Sequence, residues 1–430
     1  AVKSYEQALA IKPDYADAHS NLGITLHELG QLDAAVKSYE QALSIDSSNQ
    51  LFWTGFSNVL RVIRFKSFND SMVPYLLQAL QQPSIRPQNI SGAIISLLRH
   101  HPNLHMALEA CKTGTIKDKN NQLANQLTSI PLLLQLMELC PITDTEIEHL
   151  LRLIRQTTLR QLTDETIEPA NLPFYVALAL HCFTNEYVFL ESSEETAEIE
   201  QLENKINSLL ANNEPVPSLW VALLASYRPL HIFSWSSQLS QPNSTNSIQK
   251  ILTQQIDEVR EEQRLRSEIK VLSTINNNVS QSVREQYEEN PYPRWVNPGL
   301  SPKPKTIRTI LQELKIDFNL TGQHFPSHPE ILIAGCGTGQ HSLGTASRFS
   351  NSSVLAVDLS LSSLSYAIRK TQELGISNID YMHADILELH KLNRQFDLIE
   401  SAGVLHHMAE PLAGWKVLVN LLRPQGLMKI

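Results

Sequence analysis

The chain has 430 residues, of which 42% are apolar, enough to fill the cores of two to three domains without outside help. Its 44 acidic against 35 basic side chains leave a net charge of -9, which excludes a phosphate-tracking surface, because such surfaces need clustered Lys and Arg to release counterions. No nucleic-acid partner is expected. Cys111, Cys140, Cys182 and Cys336 lie far apart with no CxxC pair, a pattern that fits neither a zinc site nor a disulfide framework and points to the reducing cytoplasm. The longest apolar runs, such as Leu172 to Leu180, fall short of the roughly 20 residues that cross a bilayer, and the amino end shows no signal-peptide pattern, so no membrane role is expected. Sequons such as Asn89-Ile90-Ser91 are then expected to stay idle.

The first element in chain order is a repeat. AVKSYEQAL occupies residues 1 to 9 and returns at 35 to 43, a period of 35 − 1 = 34. Leu22 and Leu26 share a helix face while the small Ala35 and Ala42 admit a close neighbour. This stretch resembles the tetratricopeptide repeat: Pro13, Ala16, Asn21, Leu22, Gly23, Leu26, Gly30, Ala35, Tyr39 and Ala42 fall where the family puts its small and bulky residues, with Ser47 where it places a closing proline. The resemblance implies an array that binds a protein or peptide partner, and a chain that opens on the second helix of a repeat, with an earlier part of the array absent.

Beyond Ser48 the repeat fades, and residues 51 to 275 read as an all-helical region. FWTGFSNVLRVIRF, SGAIISLLRH, PLLLQLMELC, EIEHLLRLIRQ, PFYVALALHCF and VPSLWVALLAS carry helical periodicity between Pro, Asn and Ser breaks. His100, His101 and His105 stand close together without a carboxylate or Cys at matching spacing, so no metal is expected. TNEYVFLESSEETAEIEQLENK reads as a solvated acidic loop and helix face, SSQLSQPNSTNS as a turn-rich linker, and ILTQQIDEVREEQRLRSEIK as a long polar helix with i, i+4 charge pairs. It is expected to end near the Asn-rich break at 276 to 278. A connecting arm follows over 276 to 300, in which Pro291 and Pro293 favour an extended course.

From 301 to 430 the pattern becomes strand, loop, helix. Ile331, Leu332 and Ile333 form a short buried strand that meets Gly335, Gly337 and Gly339, and a helix begins near Gln340 and His341. Glycine lets a ligand approach the backbone and lets the turn take positive φ. A dinucleotide fingerprint would need its last glycine where Gln340 stands. The next strand ends in Asp358, 358 − 339 = 19 residues past the last glycine, where an acid can accept hydrogen bonds from both ribose hydroxyls. A third strand, NIDYMHAD, ends at Asp385, a fourth, FDLIESAG, leads into VLHHM, and the helix PLAGWKVLVNLLRPQG leads to a fifth, LMKI.

Taken together, GCGTG, Asp358, HADILEL, FDLIESAGVLHHM and LLRPQGLMKI resemble class I S-adenosylmethionine-dependent methyltransferases. The resemblance implies an α/β Rossmann-like domain behind the all-α region and S-adenosyl-L-methionine as cofactor. Gly335, Gly337 and Gly339 would receive its methionine part, Asp358 its ribose, Asp385 and Ile386 its adenine, and the backbone after Ser401 its sulfonium side. The family's acid two residues before the first glycine is here Ile333, so the contact to the cofactor's amino group must come from elsewhere. SVREQYEENPYPRWV also recurs in proteins that join tetratricopeptide repeats to such a domain. Its Tyr287, Tyr292, Arg294 and Trp295 either close over the sulfonium, with Arg294 binding the carboxylate, or merely pack two domains together. Asp397 is read as fixing the start of the fourth strand, and Cys336 as a small loop residue. The catalytic base, if one is needed, is left among Glu400, His406 and His407. A helical adaptor with a non-catalytic cofactor domain is the alternative reading, and NAD-dependent oxidoreduction is disfavoured by Gln340. The family's further helix and two strands are not reached by Ile430, which implies a domain that continues.

Overall fold

A computed structural model describes residues 1–162, 169–239, 246–273, 280, 281, 284, 287, 288, 293–314 and 324–430. The chain forms two compact units, residues Ala1–Asp257 with Trp295–Gly299, and residues Glu258–Arg294 with Leu300–Ile430. From Glu258 onward the polar helix groups with the strands, whereas its start, up to Asp257, groups with the helical unit.

The regular elements of the first unit are all helices among its described residues. Val2–Ile11, Ala16–Glu28 and Leu32–Ile45 are the helices of the repeat, Gln50–Leu60 follows them, and each of the six apolar segments read as helical contributes most of its residues to a helix. Tyr39, 1% exposed, shows why small residues are needed: a Cβ at Gly23 would stand 2.8 Å from its ring, and one at Gly55 would stand 2.4 Å from its hydroxyl. Ser47, in place of the closing proline, offers its carbonyl to Trp53 Nε1 at 2.8 Å. The acidic segment is less solvated than its composition suggests. Glu195, 2% exposed, closes a capping box with Ser192 and accepts from Tyr227 Oη at 2.8 Å, because a buried carboxylate needs donors around it. His101 caps the helix Pro102–Lys112 through Nδ1, and no metal-binding cluster exists among the described residues.

The second unit is built on a six-stranded sheet. The strands are β1 Lys270–Val271, β2 Glu330–Ala334, β3 Ser353–Asp358, β4 Ile379–His383, β5 Phe396–Glu400 and β6 Leu422–Lys429, in the order β1-β4-β3-β2-β5-β6, and every pairing is parallel. Both faces are covered, which is why β2 and β3 read as unbroken apolar runs. Ile331, Ile333, Val354 and Ala356 meet Leu364 and Ala367 on one face, while Leu332, Leu355 and Val357 meet Leu389 and Leu418 on the other. The polar helix departs from expectation at its end. A π turn at Thr253–Asp257 interrupts it, Glu258–Arg266 continues it, and Lys270–Val271, expected to be helical, pairs with β4 instead. Its acids reach across rather than along the helix: Glu258 and Glu262 hold the buried Arg369 at 2.9 Å each, whereas Arg264 keeps the expected exposed pair with Glu268.

The chain runs outward from β2 through β3 to β4, then crosses to the other side of β2 for β5 and β6. The carboxyl ends of β2 and β5 thus border a switch in strand order, where open parallel sheets leave a crevice.

Candidate cofactor site

A cavity of about 590 Å³ opens at those strand ends, within the range that drug-sized ligands fill. Its lining includes Gly335, Gly337, Asp358, Asp385 and Ile386. These residues are distant in sequence and convergent in space.

The glycine loop has physical reasons for its composition. All three glycines take positive φ, +79° at Gly335, +51° at Gly337 and +84° at Gly339, values that side chains resist. At Gly335 a Cβ would lie 2.4 Å from Val404 Cγ2, so the loop after β5 can close on the loop after β2 only over a bare backbone. At Gly339, which caps the helix Gln340–Arg348, a Cβ would meet that of Ala367 at 2.6 Å. Gly337 differs, because nothing lies within 4 Å of where its Cβ would project: a side chain there would fill the cavity. Gly339 itself is not among the cavity-lining residues; its role in the structure is to seat the helix.

Asp358 ties loop and strand together. Its Oδ2 accepts from the Gly337 amide at 2.7 Å and its Oδ1 from the Ser360 amide at 3.0 Å. Burial raises its carboxyl above the usual carboxylate range, and the amide hydrogen bonds oppose that rise. Asp385, 3% exposed, accepts from the Leu387 amide at 2.9 Å. Both carboxylates retain further lone pairs toward the cavity. Cys336 is a buried thiol whose ionisation burial pushes well up, consistent with a small loop residue. Ser401 lies behind the site, its Oγ donating to the Ala334 carbonyl at 3.0 Å, and the lining comes from Ala402 and Gly403 beyond it.

Sequence reasoning left three candidate bases, and the structure separates them. His407 lines the cavity, while His406 does not and sits against it with ring centroids 4.0 Å apart and planes tilted by 42°. Glu400 is committed elsewhere. It pairs in register with Ile333, is 2% exposed, and accepts from Thr345 Oγ1 at 2.5 Å and from Arg348 at 2.8 Å, with His341 Nε2 also at 2.8 Å. Burial would raise its carboxyl, but the His341 hydrogen bond, the Arg348 charge and the Thr345 hydrogen bond hold it down at about 2. A carboxylate so held is an anchor rather than a base. Asp397, as expected, fixes strand ends, accepting from the Glu330 amide at 2.8 Å and from Arg423 at 2.7 Å.

The arm divides. Ser280, Tyr287 and Pro293 line the cavity, and Thr338 of the glycine loop donates to the Pro293 carbonyl at 2.8 Å. Glu288 accepts from the Leu361 amide at 2.8 Å and from Ser362 Oγ at 2.7 Å, placing an anion at a helix amino end where the macrodipole favours it. Arg294, expected to meet the cofactor's carboxylate, does not line the cavity; its guanidinium lies 5.8 Å from the Tyr366 ring centre and 3.9 Å from Glu262. Trp295 is fully buried and groups with the helical unit. Tyr292 lies outside the described residues.

The residues that sequence reasoning missed are Thr338, Gln340, His341 and Glu410, all cavity-lining. Gln340 was weighed only as a missing glycine, yet its buried Nε2 makes no hydrogen bond within the described residues, an unused donor at the cavity wall. One signal was available: His341, Thr345 and Arg348 are spaced i, i+4, i+7, a polar stripe on one face of a helix otherwise packed on a sheet.

Residues 331–426 match the model of the methyltransferase domain family, and residues 1–30 and 16–49 match tetratricopeptide repeat models. An uncharacterized protein of Synechococcus is 33% identical over 103 residues, 24% of this chain and 25% of that one. A probable (S)-tetrahydroprotoberberine N-methyltransferase of Papaver bracteatum is 30% identical over 78 residues, 18% of this chain and 22% of that one. The chain thus spans about a quarter of the length of the curated relatives it matches. Among solved structures, PKMT2 of Rickettsia typhi in complex with AdoHcy is 28% identical, covering 23% of this chain and 20% of that one with a TM-score of 0.22.

Proposed function

We propose that this chain, in which tetratricopeptide repeats precede a class I S-adenosylmethionine-dependent methyltransferase domain, transfers the methyl group of that cofactor to an acceptor, with the helices at its amino end engaging a protein or peptide partner. The observation that carries the reading is the meeting of Gly337, Asp358 and Asp385 around one cavity at the strand-order switch. The donor set fits the cofactor. The carboxylates of the partly exposed Asp358 and the buried Asp385 suit a ribose diol and an exocyclic amine, Gln340 Nε2 offers an unused donor, and the bare Gly337 leaves room beside the backbone.

When bound, S-adenosylmethionine supplies a methyl group on a sulfonium, which departs readily. The chain's own residues then have two tasks, alignment and exclusion of water. Asp358 and Asp385 orient the nucleoside. Tyr287 and Pro293 cover the cavity from the arm side, and Val404 and Met408 give the opposite wall an apolar surface. No covalent residue is needed. The free thiols Cys111, Cys140, Cys182 and Cys336 suit a reducing compartment, and the cytoplasm is the proposed location.

Titration calorimetry on the full chain tests the reading. S-adenosylmethionine and S-adenosylhomocysteine should bind at one site, and NAD should not compete. Equal or tighter binding of NAD overturns the assignment. Cofactor binding without S-adenosylhomocysteine production, across acceptors presented in a cell lysate, would favour the adaptor reading.

A further inference from the structure

Part of the cavity lining carries side chains to which the cofactor reading gives no cofactor atom. Val404, Met408, Ala409 and Ala413 make it apolar, and His407 and Glu410 give it its polar atoms. Gly414 holds this wall in place, since a Cβ there would stand 2.5 Å from Met408 Sδ and 3.2 Å from Leu405 Cδ2. Glu410 occupies the N-cap position of the helix Pro411–Asn420, yet its carboxylate makes no capping hydrogen bond. It is uncommitted and faces the same space as His407. No Lys or Arg stands among the described residues that line the cavity. In the sequence from 274 to 293 the one basic residue is Arg284, which is not among the lining.

From this charge pattern, and resting on the methyltransferase reading above, we infer that the acceptor is an amine with an apolar body and no anionic group. Among the described lining residues, an acceptor's carboxylate or phosphate would meet Asp358, Asp385 and Glu410 and no Lys or Arg, and unlike the zwitterionic cofactor it would bring no cation of its own to offset the repulsion. An ammonium finds in Glu410 a charged partner at the wall. His407 takes one proton from it, which frees the nitrogen lone pair. That lone pair forms the new bond to the methyl carbon as the carbon–sulfur bond breaks, its electrons passing to sulfur to leave a thioether, and the product is the N-methylammonium. A small arylalkylamine and a lysine side chain share this chemistry.

The test is binding to the full chain saturated with S-adenosylhomocysteine, using 3-phenylpropylamine, 3-phenylpropanol and 3-phenylpropionate, which share one apolar body, and a peptide with a single lysine. The amine should bind at least tenfold tighter than the carboxylate, and Glu410→Gln should cut that preference to under threefold while S-adenosylhomocysteine binds as before. Tighter binding by the peptide than by 3-phenylpropylamine assigns the amine to a protein, and the reverse to a small molecule. A carboxylate that binds as well as the amine, no difference within the series, or a preference that survives Glu410→Gln overturns the inference. The first titration reports separately on the cofactor, so failure of S-adenosylhomocysteine to bind indicts the methyltransferase reading instead.

Discussion

Single residues in the carboxyl-terminal unit do unequal work for their chemistry, as Asp358 at the end of β3 and Glu400 at the end of β5, with β2 between them, illustrate. Asp358 accepts two backbone amides and keeps capacity toward the cavity. Removing its carboxylate in Asp358→Ala should weaken S-adenosylhomocysteine binding by about 2 to 4 kcal/mol, since charged hydrogen bonds are worth about 1.5 to 3 kcal/mol each, and calorimetry reads this directly. Glu400 acts on stability instead. Its carboxyl, held at about 2 against an ordinary value of 4.5, contributes on the order of 3 kcal/mol near neutral pH. The sign follows from a lowered value in the folded state: the contribution is complete above pH 4.5 and disappears as pH falls toward 2. Wild type should therefore lose melting temperature steeply over that window, and Glu400→Gln, less stable at neutrality, should lose much less. Parallel acid melting curves for the two would refute the anchoring role.

Elements show where the sequence was legible and where it was not. The parallel strands were readable because burial on both faces writes continuous apolar runs, and the repeat was readable because it recurs. The edge strand Lys270–Val271 was not. Its two residues extend a polar helical pattern, and only pairing with β4 makes them a strand. The division of the arm was equally hidden, since nothing in PRW tells Arg294 and Trp295 to join different units. At the site, Gly335, Gly337 and Asp358, singled out by spacing, and Asp385, singled out by resemblance, line one cavity, whereas the hydrogen bonds of His341 and Glu400 depend on strand register, a long-range fact that no local pattern carries. Two substitutions test element seating. Gly339→Ala places a Cβ against Ala367 at positive φ and should cost about 2 to 4 kcal/mol, combining left-handed strain with overpacking, measured by chemical denaturation. Glu288→Ala removes the acceptor at the start of the helix Leu361–Glu373. Hydrogen exchange at the Leu361 and Ser362 amides should accelerate about tenfold, as expected for loss of a cap worth about 1 kcal/mol or more; unchanged exchange would show that the tie is dispensable.

At the scale of the whole molecule, the net charge of -9 and the acidic cavity should make cofactor and product respond differently to salt. S-adenosylmethionine carries a sulfonium charge that S-adenosylhomocysteine lacks. Because exposed charges are screened beyond a Debye length of about 10 Å at 0.1 M salt, raising salt from 0.05 to 0.5 M should weaken the cofactor about twofold to fivefold and the product less, in paired titrations. Equal salt slopes would argue that the cavity's charge is not felt by the ligand. The wall formed by Ser280, Tyr287 and Pro293 has a consequence for how such a protein can be assembled over time. It lies upstream of residues 331–426, the span that the methyltransferase model covers, yet Thr338 within that span is bonded to Pro293. A recombination that transplanted only the matched span would deliver a cleft with one side open. The inheritable module is therefore discontinuous, a short upstream segment and a glycine loop that must be exchanged as a pair.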